Sequence, residues 1–194
     1  LALCDMRDAG IQPMALLSHL ARLGSSDPIE LRGVMEEIIS GFNLTKFGSA
    51  PTKFDEVDLV PITAKYLQGL DLVDVAEELA LIGVPAYNAE DFWNVMRTNI
   101  STLKDLGGWW ELTENGAIPE IGPEDQEFIA QAMAMLPEGP FDTTTWGTWT
   151  AEVKQATGRK GKGLFMPLRK ALTGMSHGPD MGALLPLLQK ISRK

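Results

Sequence analysis

The chain has 194 residues, 44% of them apolar and 22% charged, with 12 prolines, 19 glycines and a net charge of −9. That profile belongs to a globular chain of one large or two small domains that can bury a core without staples, and it excludes a disordered tail. A single cysteine, Cys4, and two histidines, His19 and His177, exclude a disulfide framework and any usual zinc site; no apolar run is long enough to span a bilayer.

The absence of an initiator Met before Leu1 reads as a boundary inside a longer protein. From there the apolar residues recur at helical spacing. Ile11–Leu23 predicts a helix stopped at Gly24. In Ile29–Phe42, Leu31, Val34, Met35, Ile38, Ile39 and Phe42 form an amphipathic stripe, with Asp27-Pro28 as cap and first turn. Phe54–Tyr66 follows behind Asp55, with Pro61 either near its start or kinking it, and then Leu70–Ile82, capped by Asp71 and closed by Gly83 and Pro85. Asn88–Leu106 predicts one long helix, opened by a capping box of Asn88 and Asp91 and ended by Gly107-Gly108. Glu124–Leu136 comes after Gly122-Pro123, and a helix capped by Thr145 or Thr148 runs to Ala156 before Gly158. Met166–Leu172, with Pro167 in its first turn, ends at Gly174; Pro179–Ile191 is the last helix, complicated by Pro186. No segment alternates with period two, so the expected fold is all-α, a helical bundle.

Catalytic chemistry is poorly supported. Ser176, His177 and Asp180 lie together in sequence, but adjacent Ser and His do not converge easily on one proton, and no strand or nucleophile elbow surrounds them. The Gly158-Arg159-Lys160-Gly161-Lys162-Gly163 run lacks the Gly-Lys-Ser/Thr of a nucleotide-binding loop. Charge is unevenly spread: 151–194 holds nine Lys/Arg and two acids, hence +7, against −16 for the first 150 residues. Three cations in a glycine-rich loop fit a nucleic-acid backbone, or a mobile basic linker. Beyond Gly174 the pattern places a loop beside a helix N-terminus at Pro179, where free N–H groups could meet an anion or a base edge. Trp109, Trp110, Trp146 and Trp149 read either as core or as base-stacking platforms.

The run Gly161-Lys-Gly-Leu-Phe-Met-Pro-Leu-Arg-Lys-Ala-Leu-Thr-Gly174, followed by His177-Gly178-Pro179, resembles the anticodon-binding region of bacterial glutamyl-tRNA synthetases. Asp5-Met-Arg-Asp-Ala-Gly10 with Pro13-Met-Ala-Leu-Leu17 is similar to the segment that follows that family's Lys-Met-Ser-Lys-Arg-type loop. Phe42-Asn-Leu44, Ala50-Pro51 and Lys53-Phe54-Asp55 are similar to its stem-contact domain. The resemblance implies a class I synthetase anticodon-binding fold: a stem-contact segment over 1–69, then an anticodon-binding domain over 70–194 with subdomains 70–138 and 139–194. It implies a parent that attaches glutamate to tRNA with ATP and Mg²⁺, whose catalytic domain lies upstream, and a fragment that binds tRNA and no cofactor.

Residue by residue, the resemblance gives Arg169 an anticodon-loop contact and places Gly178, Pro179 and Met181 at the first two anticodon bases. Gly178 stands where some members carry Thr; Pro179 would offer a rigid apolar surface and Met181 an adaptable one. Arg97–Lys104 is similar to a helix that reads the third base, with Asn99 where glutamate-restricted members tend to carry arginine. Asn99 therefore reads as weak discrimination between glutamate and glutamine tRNAs or a preference for the latter, or else as an Asn satisfied within a helix interface. Arg159, Lys160 and Lys162 complete the expected tRNA-binding set. A cytoplasmic monomer, without metal or membrane, is expected. The competing reading is a helical protein–protein interaction module with an incidental basic tail; a duplex-DNA binder is disfavoured by the acidic first 150 residues.

Overall fold

The computed structural model of the chain describes residues 2–119 and 121–192. Among them there is no strand, only an isolated antiparallel bridge between Ser25 and Phe47, so the fold is all-α as expected. Backbone packing separates two compact units. One takes the residues up to Leu81 together with Ile100–Leu106; the other takes Ile82–Asn99 and the residues from Gly107 onward. Among the described residues no helix is long and apolar enough to cross a membrane.

The first unit contains α1 (Leu3–Asp8), α2 (Pro13–Leu20), α3 (Met35–Ser40), α4 (Leu59–Gln68) and α5 (Leu72–Leu81). Pro13 opens α2 and Pro61 sits in the first turn of α4, where a missing N–H costs no helical bond. Asp55 caps a 3-10 turn before α4 by accepting from the Val57 N–H at 3.2 Å. Before α5, the Asp74 carboxylate reaches back to the Asp71 N–H at 2.9 Å. α2 packs on α4 around Ala15, Leu59, Leu67 and a buried Thr63 whose hydroxyl accepts the Gln12 N–H.

The expected helix over Ile29–Phe42 is reduced to α3. Asp27 does not cap it: its carboxylate binds Arg22 Nη1 at 2.6 Å and Lys46 Nζ at 2.8 Å. Residues 29–34 are held out of helical geometry in part by the Ser18 hydroxyl, which accepts from Arg32 N–H at 2.9 Å and donates to Arg32 C=O at 3.3 Å. Of the predicted stripe, Val34, Met35, Ile39 and Phe42 are exposed, while Leu31 and Ile38 are half-buried. The lobe is closed at its neck by the Ser25–Phe47 bridge, by Ser26 N–H to Lys46 C=O at 3.0 Å and by Gly48 N–H to Gly24 C=O at 3.1 Å.

The second unit contains α6 (Ala86–Met96), most of α7 (Asp105–Asn115), α8 (Pro123–Met135), α9 (Thr145–Thr157), α10 (Lys162–Thr173) and α11 (Met181–Leu184). Its core gathers Phe92, Trp93, Trp110, Trp149, Leu164 and Leu168, and the buried Trp149 donates Nε1–H to Ala132 C=O at 2.9 Å. The expected long helix over 88–106 is two. α6 starts earlier, behind Pro85, so Asn88 is internal rather than a cap. The chain then turns over residues 97–104, and Asp105 starts α7 by accepting the Ser101 and Thr102 N–H groups at 2.7 and 2.9 Å. Gly107 and Gly108 therefore lie inside a helix instead of ending one.

Candidate nucleic-acid interface

The glycine-rich basic run is a tight corner between two helices. Gly158 ends α9 at φ +71° and Gly161 opens α10 at φ +56°, both left-handed values that favour glycine. α10 begins four residues before the expected Met166, so Lys162 and Gly163 form its first turn and Pro167 is an internal proline. A proline there cannot donate to the carbonyl four residues back, which leaves Gly163 C=O without its helical partner. Arg159 supplies one: its Nη1 donates to Gly163 C=O at 3.3 Å.

Arg159 is tied down on every side. Nη1 pairs with the Asp125 carboxylate, Nη2 reaches Glu124 C=O at 3.3 Å, and the guanidinium lies 4.0 Å from the centroid of the Phe128 ring. Lys160 and Lys162, by contrast, are exposed and have no ion pair among the described residues. The corner thus spends one of its cations on its own rigidity and presents two, beside a helix N-terminus that no side chain caps.

At the other end of α10, Arg169 is half-buried while Leu168 and Leu172 face the core. Its Nη2 donates to Pro179 C=O at 2.8 Å; its Nη1 is buried and has no partner. Burial pushes the guanidinium pKa down, with Asp180 opposing in part. The loop after Gly174 passes over the edge of Trp109. Gly178 has φ +136°, and a Cβ there would stand 2.7 Å from Trp109 Cη2 and 3.6 Å from Arg169 Nη1. Glycine is required by both the backbone and the indole, whose edge takes the space a side chain would fill.

Arg169, Gly178 and Pro179 come together in the structure, but Pro179 and Met181 do not offer the surfaces expected of them, because both are buried. The anticipated anion-binding N-terminus is also closed: the last helix is only Met181–Leu184, and the Asp180 carboxylate accepts the Ala183 N–H at 3.1 Å. Asn99 lies in the turn after α6, not in a helix. Its amide nitrogen donates to Val95 C=O and Thr98 Oγ1, each at 3.0 Å, and the residue remains half-exposed. Trp109, Trp110 and Trp149 are core residues; Trp146 is half-buried, packed on Trp149 and on Phe165. Phe165, which periodicity alone did not single out, is 44% exposed. Among the described residues no three His, Cys, Asp or Glu come together as a group that could hold a metal.

Residues 71–192 match the family model described as "Anticodon binding domain". The chain is 62% identical over 194 residues to "Glutamate--tRNA ligase 1" of Roseobacter denitrificans, covering all of this chain and 44% of that protein. It is 63% identical over 191 residues to "Glutamate--tRNA ligase 2" of a Ruegeria species, covering 98% and 43%. The fold matches a crystal structure of a glutamate tRNA ligase from Elizabethkingia meningosepticum with TM-score 0.68 and 23% identity, over 94% of this chain and 39% of that one. The chain thus spans less than half the length of the curated relatives it matches.

Proposed function

Since this chain belongs to the anticodon-binding-domain family, we propose that it is the tRNA-binding C-terminal region of a glutamate–tRNA ligase that recognises the anticodon arm. On this reading residues 1–69 contact the tRNA stem and 70–194 form the anticodon-binding domain, divided near 138. Lys160 and Lys162 hold phosphates at the α10 corner; Arg159 braces that corner. Arg169 Nη1 and the Gly178 backbone meet the anticodon bases, with Pro179 and Met181 fixing the loop from within. Asn99 is neutral and short, and its free Oδ1 neither demands nor rejects a glutamate anticodon as an arginine would. The parent, a cytoplasmic monomer, would activate glutamate with ATP and Mg²⁺ in a part of the protein outside this chain.

The observation that carries the reading is the unpartnered, buried Nη1 of Arg169 toward one end of α10, with the exposed Lys160 and Lys162 at the other. A buried guanidinium N–H without an acceptor is costly in the free protein and is relieved by a base or phosphate oxygen. A protein-docking module would not need that arrangement and is not favoured by the family match.

The test is fluorescence anisotropy of the 194-residue chain with glutamate and glutamine tRNA transcripts across a salt series. Affinity is expected to fall steeply with salt. The double variant Lys160→Ala/Lys162→Ala should reduce the slope of log K against log [salt] by roughly 0.7–0.9 per lost contact. Failure to form a complex with either transcript at low ionic strength refutes the reading.

A further inference from the structure

From the face of α10 we infer that Phe165 is a stacking platform for one unpaired base of the bound RNA, a deduction that rests on the tRNA-binding reading above. Lys162, Phe165 and Arg169 are spaced i, i+3, i+7 and so lie along one side of α10, the two cations about 10 Å apart along its axis. The helix carries a third cation, Lys170, and no acidic residue. Among the described residues from 151 onward, Phe165 is the only large apolar side chain left exposed. It is also supported from behind. Its ring lies 6.3 Å from that of Trp146, tilted by 40°, and Trp146 meets the buried Trp149 edge-on at 5.6 Å. This chain of rings is anchored to the α8 backbone through Trp149 Nε1 and Ala132 C=O. An exposed phenyl ring backed by these rings, one helical turn from the exposed Lys162, matches what a single-stranded nucleic acid offers: a flat base next to a phosphate. A protein partner burying the same ring would have to desolvate the exposed Lys162 or bring an acid to meet it. Stacking needs only the ring's face, so this platform strengthens binding without choosing the base.

The experiment measures dissociation constants of the 194-residue chain with a glutamate tRNA transcript for the wild type, Phe165→Ala, Phe165→Leu and Phe165→Trp. Phe165→Ala should weaken binding about 5- to 150-fold, and Phe165→Leu should fall in the same range, because a leucine keeps apolar contact with Trp146 but has no π face. Phe165→Trp should bind within about threefold of wild type, since any aromatic face serves. The salt slope should be the same in all four, which a loss of phosphate contacts or of folding would not allow. A Phe165→Leu protein that binds like wild type overturns the inference, as does a Phe165→Ala protein with undiminished RNA affinity, which would leave the ring to a protein partner. A wild-type chain that binds no RNA instead fails the tRNA reading itself, so the two failures are distinct.

Discussion

Replacing Arg159 with alanine separates bracing from binding at the basic corner. The guanidinium holds Asp125, Glu124 C=O and Gly163 C=O and covers the Phe128 ring, while its side chain is 32% exposed and that of Asp125 25%. A charge-assisted hydrogen bond is worth about 1.5–3 kcal/mol when buried, and this degree of exposure argues for the low end. The ring contact adds about 0.5–1 kcal/mol. Arg159→Ala should therefore destabilise the protein by about 2–3 kcal/mol, a fall in melting temperature of about 5–10 °C for a chain this size. The salt dependence of tRNA binding should be unchanged. Arg159→Lys keeps the charge but not the fork and should fall between. The exposed lysines should show the reverse: Lys160→Ala should melt within about 0.5 kcal/mol of wild type and lose salt slope. Calorimetry and anisotropy on the same samples decide it. Were Arg159→Ala to keep its melting temperature and lose a full phosphate contact, the bracing argument would be wrong.

Gly178→Ala places a methyl group 2.7 Å from Trp109 Cη2 at a backbone angle of +136°, so a loss of about 2–4 kcal/mol is expected. Thermal melts check this, and a midpoint within a degree of wild type would contradict it. In the first unit, the hydrogen bond from Lys46, followed by the charges of Lys46 and Arg22, holds the Asp27 carboxyl below its ordinary pKa. That contribution is complete above the unfolded carboxylate pKa near 3.9 and is lost as pH falls through the lower folded value. Urea midpoints followed downward from pH 6 should thus decline below about pH 4, and Asp27→Asn should make that decline shallower.

Helical periodicity was sufficient for the fold class because α4, α5, α8 and α9 bury one face each, and burial is what the pattern encodes. It misplaced boundaries wherever a side chain had a distant alternative. Asp27 looks like a cap until Lys46, 19 residues away, is seen to claim it. Gly107-Gly108 looks like a stop until Asp105 is seen to start a helix two residues earlier. Pro167 looks like a first-turn proline because nothing local discloses that Arg159 takes up the carbonyl it orphans. At the site, the motif singled out Arg169 and Gly178, but which cations are free depends on partners such as Asp125, 34 residues from Arg159. Phe165 stayed hidden because an aromatic residue in an amphipathic helix looks like core until its neighbours are known.

The clasp around Ser25 and Phe47 has a consequence for how this polypeptide can drift. Because the neck is pinned by backbone bonds and by the Asp27–Lys46 pair, the excursion between them is tethered at both ends. Lengthening such an excursion costs only about 0.6 kcal/mol per doubling of its span. Insertions and deletions accumulated over generations should collect between residues 29 and 43, leaving the remainder of the architecture undisturbed.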